Sequence, residues 1–210
     1  MKYKLAFDTE TGGLDPKKVD VLTLYACIVD EDYKILDEID LKLKPDGGRT
    51  PVVEAQAMKI NKIDLHAHLN NPETITYSEA KVKLVTMIEK YLKKKGRYSN
   101  ITPLGQNVSF DIDFVQQHIL PKEEWDSMIH YGKIDTKGIC DFFKDCKWFP
   151  QELGTLESIV DFLQIPKRAA HNAKEDTLMT IDVYKEYLRM MESRKNAGQS
   201  QDLISLLEAE

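Results

Sequence analysis

The stretch KLAFDTETGGLDP, residues 4–16, begins as a core strand and ends in charge. After an apolar approach it places Asp8 and Glu10 two positions apart, so an extended strand points both carboxylates to one face. Gly12 and Gly13 follow directly, as in a simple turn or in a backbone that approaches a ligand closely. Two acidic residues at a strand end are commonly a solvated edge, so the pair needs further signals before it indicates a site.

The apolar pattern around this stretch predicts a sheet that begins as an antiparallel meander. Residues 2–8 and 20–29 have the pattern of buried strands, and residues 34–44 alternate as a half-exposed third strand. Residues 101–105 and 131–135 have the pattern of two further short strands. We therefore predict an α/β fold with a mixed five-stranded sheet flanked by helices.

Helical patterns lie mainly in the second half of the chain. Helices are predicted over residues 78–94, 109–119, 155–163 and 173–191. Ser78 is the candidate N-cap of the first, and Gly96 is its expected stop. Asn172 and Glu175 have the spacing of a capping box at the start of the last helix.

The chain of 210 residues is long enough to bury a single core, and 42% of its residues are hydrophobic. We predict one domain over residues 1–192 and a flexible tail over residues 193–210. The apolar end of this tail, DLISLLEAE, packs on its own domain, frays, or docks on a partner protein. The first apolar run is too short for a signal peptide or a membrane span, so we expect a cytoplasmic protein that does not contact a membrane.

Charge and cysteine content restrict the classes of ligand. The three cysteines are odd in number and lack Cys-x-x-Cys spacing, which fits a reducing compartment and argues against zinc. The formal net charge of −6 has the wrong sign for holding nucleic acid by bulk attraction to phosphate. Clustered acidic residues would reverse that effect locally if they held divalent cations.

Two later segments carry further acidic signals. GQNVSFDIDF places Asp111 and Asp113 at the start of a predicted helix, where acidic residues also serve simply to complement the helix dipole. AAHNAKEDTLMT places His171 just before a capped helix and Asp176 one turn inside it. Two helical residues five positions apart would point about 140° away from each other. Because His171 precedes the cap, its side chain can turn back over the face that carries Asp176.

Together, Asp8, Glu10, Asp111 and Asp176 would gather about four negative charges, which repel by several kcal/mol in a low-dielectric site unless cations neutralise them. Oxygen ligands select hard cations, so the expected cofactor is a pair of Mg²⁺ or Mn²⁺ ions. Two such ions about 3.5–4 Å apart activate a water and stabilise the leaving oxygen in phosphodiester cleavage. The acidic pattern therefore predicts phosphodiester hydrolysis.

The same segments resemble the DEDD superfamily of 3′-to-5′ exonucleases, in its histidine-bearing branch (DEDDh), which includes the proofreading subunit of the bacterial replicative polymerase. FDTETGGL, residues 7–14, is similar to the first family motif, FDTETTGL, and departs from it at Gly12. The second motif, G-H-N-x-x-F-D-x-x-F, is matched by Gly105, Asn107, Phe110, Asp111 and Phe114, with Gln106 in the histidine position. The third, H-x-A-x-x-D-A, is matched by His171, Ala173 and Asp176, with Thr177 in the last position.

The resemblance covers residues 3–190 and implies a ribonuclease H-like fold with the first strand central. It implies four metal ligands, Asp8, Glu10, Asp111 and Asp176. Asp111 is thereby preferred to Asp113. The implied general base is His171, and a neutral imidazole, whose ordinary pKa is about 6.5, suits proton acceptance at physiological pH.

The expected substrate contacts flank the acidic residues. They are Thr11, Gly12, Gly13, Leu14, Asn107, Phe110 and Arg168. The glycines would let backbone N–H groups reach the sugar or phosphate of a terminal nucleotide. Leu14 resembles the family's wedge residue, which presses on the terminal bases, and Arg168 would hold backbone phosphates.

The resemblance implies an enzyme that releases nucleoside monophosphates from 3′ ends, with single-stranded DNA as the expected substrate in proofreading or repair. An RNA-trimming exonuclease of the same family is an alternative, because the contacts that recognise a 2′-OH are not located by the sequence. A non-catalytic nucleic-acid-binding module is a third hypothesis, which the filled reactive positions argue against. A DNA polymerase or a sliding clamp is the candidate partner, the clamp because residues 199–207 resemble a clamp-binding peptide.

Overall fold

The computed structural model describes residues 2–168 and 172–207, with side chains up to residue 195. A mixed six-stranded sheet, in the order β4-β3-β2-β1-β5-β6, organises the fold. Its strands are β1 (Tyr3–Thr11), β2 (Val21–Val29), β3 (Ile35–Lys44), β4 (Thr74–Thr76), β5 (Ile101–Gly105) and β6 (Ile134–Asp135). Strands β1 to β3 form the predicted antiparallel meander, and β1 also pairs in parallel with β5, so β1 lies inside the sheet.

The sheet has one strand more than the five predicted. The added strand is β4, three residues that pair in parallel with Lys42, Leu43 and Lys44 at the edge of β3. A strand this short shows no alternation of apolar and polar residues that would distinguish it from a loop. The other strands lie where the sequence predicts them, although β6 begins at Ile134 rather than at residue 131.

The helices of the described chain lie on both faces of the sheet. They are α1 (Ala55–Asn61), α2 (Leu65–Asn70), α3 (Tyr77–Tyr91), α4 (Ser109–His118), α5 (Lys122–Met128), α6 (Thr136–Asp145), α7 (Leu156–Phe162) and α8 (Ala173–Leu207). The N-cap of α3 is Thr76 and not Ser78, because Thr76 and Glu79 form a reciprocal capping box. In the part of the chain that the structure describes, no helix is long and apolar enough to cross a bilayer.

Helix α8 extends further than the pattern predicts. Its start agrees with the prediction, since the Asn172 side chain accepts hydrogen bonds from the N–H groups of Lys174 (3.0 Å) and Glu175 (3.3 Å). The sequence predicts an end at residue 191, but the helical backbone continues to Leu207. The polar stretch after residue 191 is rich in good helix formers and contains a single glycine, which explains the continuation. A docking role for this segment stays a prediction.

The side chains of β1 alternate between two layers of helices. Leu5 and Phe7 pack with the apolar side chains of α3 and α4, whereas Ala6 packs with Ala173 and Ile181 of α8. Asp8 and Glu10 continue the Ala6 face because successive side chains of a strand alternate. The register of one strand therefore directs both carboxylates toward the first turns of α8.

Candidate functional site

Three carboxylates meet at the C-terminal end of β1. Asp8 and Glu10 from β1 and Asp176 from α8 each place one oxygen so that all three atoms lie within 4.8 Å of one another. Asp176 lies one turn inside α8, and its N–H donates to the Asn172 carbonyl at 2.9 Å. All three side chains are half-buried. We call these three residues the acidic cluster, and it unites three of the four predicted metal ligands.

The fourth predicted ligand, Asp111, approaches β1 from the other layer. Its side chain is buried, and Oδ1 accepts hydrogen bonds from the Thr9 N–H (3.0 Å) and the Thr9 hydroxyl (2.6 Å). The parallel ladder between β1 and β5 stops at the pair Ala6 and Leu104, so the Thr9 N–H lies outside it and is available to Asp111. Asp111 is thus fixed beside the acidic cluster without belonging to the set of three.

Burial and mutual repulsion raise the pKa values of these carboxyl groups. The pKa of Asp8 lies well above its ordinary value because the group is buried and faces the charges of Asp111, Asp176 and Glu10. Burial, with the charges of Asp176 and Asp111, raises the pKa of Glu10 to about 7. Burial also raises the pKa of Asp111, although the hydrogen bonds from Thr9 oppose the shift. A bound cation would relieve this repulsion.

The donor set fits a hard divalent cation. Each member of the acidic cluster offers a carboxylate oxygen, and Asp111 adds another close by. Oxygen donors without nitrogen or sulfur are the environment that Mg²⁺ and Mn²⁺ prefer. His171 lies outside the described residues, so its predicted role as general base stays a prediction.

A groove of about 270 Å³ opens next to the acidic cluster, and we call it the substrate groove because predicted substrate contacts line it. Among the predicted residues, it is lined by Glu10, Thr11, Gly13, Leu14 and Phe110. Leu14 is 81% exposed, and its predicted contact with the terminal bases stays a prediction. Since Glu10 belongs to both, a molecule in the groove would touch the acidic cluster.

The opposite wall of the substrate groove comes from residues that the sequence did not assign to the site. They are Glu54, Gln56, Ala57, Ile60 and Asn61, from the start and body of α1. Asn61 is tied to β1 because its side-chain amide donates to the Thr11 carbonyl at 3.2 Å. Ile60 is 51% exposed in the groove, which the sequence does not indicate because an apolar residue in a helical pattern is usually buried.

The segment before α1 packs directly against the two glycines after β1, where a side chain would clash with it. A Cβ on Gly12 would lie 2.6 Å from the Val52 carbonyl oxygen, and one on Gly13 would lie 2.7 Å from the Glu54 carboxyl carbon. The Gly12 N–H donates to the Asp20 carbonyl at 2.7 Å. This N–H is therefore already bonded within the chain, whereas Gly13 lines the substrate groove. The contact of Gly12 with a nucleotide stays a prediction.

Buried Asp20 anchors the wall that faces these glycines. Its carboxylate accepts hydrogen bonds from Arg49 (2.6 and 2.7 Å), from the Val52 N–H (2.7 Å) and from the Tyr77 hydroxyl (3.0 Å). Burial alone would raise the pKa of Asp20, but these donors outweigh it and lower the pKa below its ordinary value. The ionised carboxylate thus holds the segment before α1 against the turn after β1.

Two further predicted contacts are not among the residues that line the substrate groove. Asn107 takes a left-handed backbone (φ 55°) in the turn before α4, and its N–H donates to the Asp135 carboxylate at 2.8 Å. The Arg168 guanidinium forms ion pairs with Asp182 (3.2 Å) and Glu175 (3.7 Å) on α8. The structure thus gives both residues partners within the chain.

The sequence matches one known protein family. The model of the family described as Exonuclease, of the RNase T type, matches residues 5–184. No curated protein matches the sequence significantly.

Solved exonuclease I structures share the fold. The zinc-bound complex of E. coli exonuclease I with single-stranded DNA has a TM-score of 0.71 and 16% identity, and the alignment covers 92% of this chain and 42% of that chain. Exonuclease I of Methylocaldum szegediense has a TM-score of 0.68 and 17% identity, with coverages of 90% and 41%. This likeness confirms the predicted α/β class with a ribonuclease H-like mixed sheet between helices. The chain spans less than half of the length of these structures.

Proposed function

The chain belongs to the exonuclease family whose model matches residues 5–184, and on that premise we propose that it is a metal-dependent 3′-to-5′ exonuclease. We propose that it releases nucleoside monophosphates from single-stranded DNA. The observation that carries the proposal is the acidic cluster, whose three oxygens lie within 4.8 Å of one another at the end of an open groove. The similar E. coli structure bound to single-stranded DNA supports this choice of substrate.

Asp8, Glu10 and Asp176 would hold the metal, with Asp111 beside them. Mg²⁺ or Mn²⁺ bound there would supply Lewis-acid stabilisation of the charge that develops on the phosphodiester. Thr9 fixes Asp111 through two hydrogen bonds to Oδ1, so the direction of this carboxylate is set before any ligand arrives.

The substrate groove would orient the terminal nucleotide. Leu14 and Ile60 present exposed apolar surface to it, and Phe110, from the helix that carries Asp111, also lines it. Such surfaces suit the faces of a base and a sugar. We assign the acceptance of a proton from the attacking water to His171, as the family motif implies.

Hydrolysis of end-labelled single-stranded DNA tests the proposed function. With Mg²⁺ or Mn²⁺ present, we expect strands labelled at the 5′ end to shorten stepwise and strands labelled at the 3′ end to release a labelled mononucleotide at once. Chelation of the metal should stop both reactions. An intact strand that remains bound would overturn the proposal and favour the non-catalytic binding module. Faster cleavage of matched RNA would assign the chain to RNA trimming.

The biological setting is proposed on sequence grounds. A role in proofreading or repair beside a DNA polymerase or sliding clamp is supported by the likeness of residues 199–207 to a clamp-binding peptide. A cytoplasmic setting is supported by the cysteines, since Cys27, Cys140 and Cys146 are all unpaired.

Replacement of Leu14 by alanine is expected to weaken substrate binding much more than metal binding. Leu14 lines the substrate groove but is no member of the acidic cluster, so its loss removes apolar contact with the terminal nucleotide. We expect KM for a (dT)12 strand to rise about tenfold. Calorimetric titration with Mn²⁺ should give the wild-type affinity. Leu36→Ala, an exposed leucine on β3, is the matched control, and an equal loss of both affinities would contradict this role.

A further inference from the structure

A second groove lies between α4, α5 and the loop that follows α5. It encloses about 610 Å³, and its walls include Arg97, Lys122, His130, Tyr131 and Lys133. We call it the aromatic–basic groove. It shares no lining residue with the substrate groove. Exposed aromatic rings interleaved with cations are the side chains with which proteins hold single-stranded nucleic acid.

Tyr131 forms a fixed and open aromatic surface in this groove. It is 61% exposed, yet its ring stacks with His130 at 4.8 Å between centroids and meets Tyr98 edge-on at 5.6 Å. The Arg97 guanidinium lies 4.4 Å from the centre of the same ring. Neighbours that restrain a ring while leaving it exposed lower the entropy that is lost when a base stacks on it.

The charge of the groove is opposite in sign to that of the whole chain. Among the described residues, no carboxylate pairs with Arg97 or Lys133, whereas Lys122 pairs with Asp126 at 2.7 Å. The remaining acidic group on its walls is Asp113. Three cations thus face two carboxylates in a chain whose net charge is −6. This local excess of positive charge suits phosphate groups.

Two cations lie between the aromatic–basic groove and the surroundings of the substrate groove. Lys122 also lines a smaller groove together with Lys17, which follows soon after Leu14 in the turn beyond β1. On the other side, the Lys133 ammonium donates a hydrogen bond to the Ser109 hydroxyl, and Ser109 directly precedes Phe110 of the substrate groove. Lys17 and Lys133 are thus placed where a strand that extends from the substrate groove to the aromatic–basic groove could pair its phosphates with them.

Strand β5 sets the distance between the two grooves. The His130 N–H donates to the Ile101 carbonyl at 2.8 Å, so the aromatic surface lies at the start of β5. The acidic cluster lies beyond its end at Gly105. Four residue steps of about 3.3 Å give about 13 Å for the length of β5, so the separation is at least this large. At about 3.4 Å per stacked nucleotide this corresponds to four or more nucleotides.

We propose that the aromatic–basic groove binds the substrate strand four or more nucleotides behind its 3′ end, with a base stacked on Tyr131 and phosphates beside Arg97 and Lys133. The proposal rests on the proposed function and deepens it, because it predicts that the KM of the protein depends on the length of the substrate strand. Short substrates would use the substrate groove alone, and longer ones would use both grooves.

The test compares a dinucleotide, (dT)2, with (dT)12. With Tyr131→Ala we expect KM for (dT)12 to rise about tenfold, the loss of one stacked base, with kcat unchanged. Kinetics on (dT)2 should match wild type. Tyr131→Phe keeps the ring and should retain the wild-type KM for (dT)12. Phe142→Ala, which truncates an exposed aromatic residue on α6, is the control.

Salt dependence gives a second measurement that loss of packing would not imitate. Removal of one phosphate contact from a single strand lowers the slope of log K against log salt by about 0.7. We expect this change for (dT)12 with Lys133→Ala and with Arg97→Ala. An unchanged slope in both variants would overturn the assignment of these cations to phosphates.

The outcomes separate this proposal from the proposed function. An unchanged KM for (dT)12 in Tyr131→Ala, or an equal loss with (dT)2, would overturn the role of the aromatic–basic groove. If the wild type hydrolyses neither substrate, the proposed function fails. Fluorescence anisotropy of labelled (dT)12 then still tests the groove, since Tyr131→Ala should weaken binding about tenfold, and equal binding would overturn it. The same series with (rU)12 identifies which nucleic acid the groove prefers.

Discussion

Asp8→Asn is expected to abolish hydrolysis of single-stranded DNA and to make the metal-free protein more stable. Asp8 is half-buried at the end of β1, and partial removal from water and the charges of Asp111, Asp176 and Glu10 all act on it. Because folding raises the pKa of this carboxyl above its value in the unfolded chain, its ionisation at neutral pH destabilises the fold. Asparagine keeps the shape and removes the charge. It also removes a metal ligand, so we expect kcat/KM to fall by about 10³-fold or more.

Two measurements check both halves of this expectation. Denaturant unfolding in the presence of a chelator should show a higher midpoint for Asp8→Asn than for wild type. Added Mn²⁺ at about 100 times its Kd should stabilise wild type by about 2.7 kcal/mol and the variant by much less. Asp32→Asn, at an exposed aspartate between β2 and β3, is the control. Wild-type activity in Asp8→Asn, or a lower midpoint without metal, would contradict the role assigned to the acidic cluster.

The parts of the site that the sequence could predict are those that local backbone geometry determines. A strand with period-2 alternation must place Asp8 and Glu10 on one face, and the same alternation assigns that face to α8 once Ala6 is buried there. The cap at Asn172 then fixes which turn of α8 carries Asp176. Each of these inferences uses residues that are close in sequence, where local geometry decides the outcome.

The rest of the site depends on contacts between distant segments. Thr9 holds Asp111 across 102 positions of the chain, and nothing in either segment alone specifies that pair. The need for glycine at position 12 also depends on a distant segment. The Val52 carbonyl excludes a side chain there, and Asp20 holds that segment in place. Sequence patterns reveal that a glycine is present, but not which part of the fold occupies the space that it leaves.

The predicted substrate contacts also depend on residues that are distant in sequence. Arg168 is a cation next to a catalytic motif, and its sequence position favours phosphate binding. In the structure, Asp182 and Glu175 on α8 neutralise it. Among the described residues, Arg97 and Lys133 have no carboxylate partner, and their sequence positions do not indicate that the fold brings them to one groove.

His171→Ala is expected to lower kcat for single-stranded DNA by about 10²- to 10⁴-fold, the usual contribution of a general base. The residue precedes the cap of the helix that carries Asp176, and the family motif assigns it the proton of the attacking water. The replacement leaves the three carboxylates of the acidic cluster and the described residues of the substrate groove unchanged. Mn²⁺ affinity and KM should therefore stay near their wild-type values.

Rescue by added imidazole distinguishes proton transfer from a structural role of His171. A free base can replace the missing side chain only if proton acceptance is what was lost, so we expect kcat of His171→Ala to rise with imidazole concentration while wild type stays unchanged. His66→Ala, which removes an exposed histidine on α2, should retain full activity and show no response to imidazole. A variant that loses Mn²⁺ affinity together with activity, and that imidazole does not restore, would assign His171 to the integrity of the metal site and leave the proton to another acceptor.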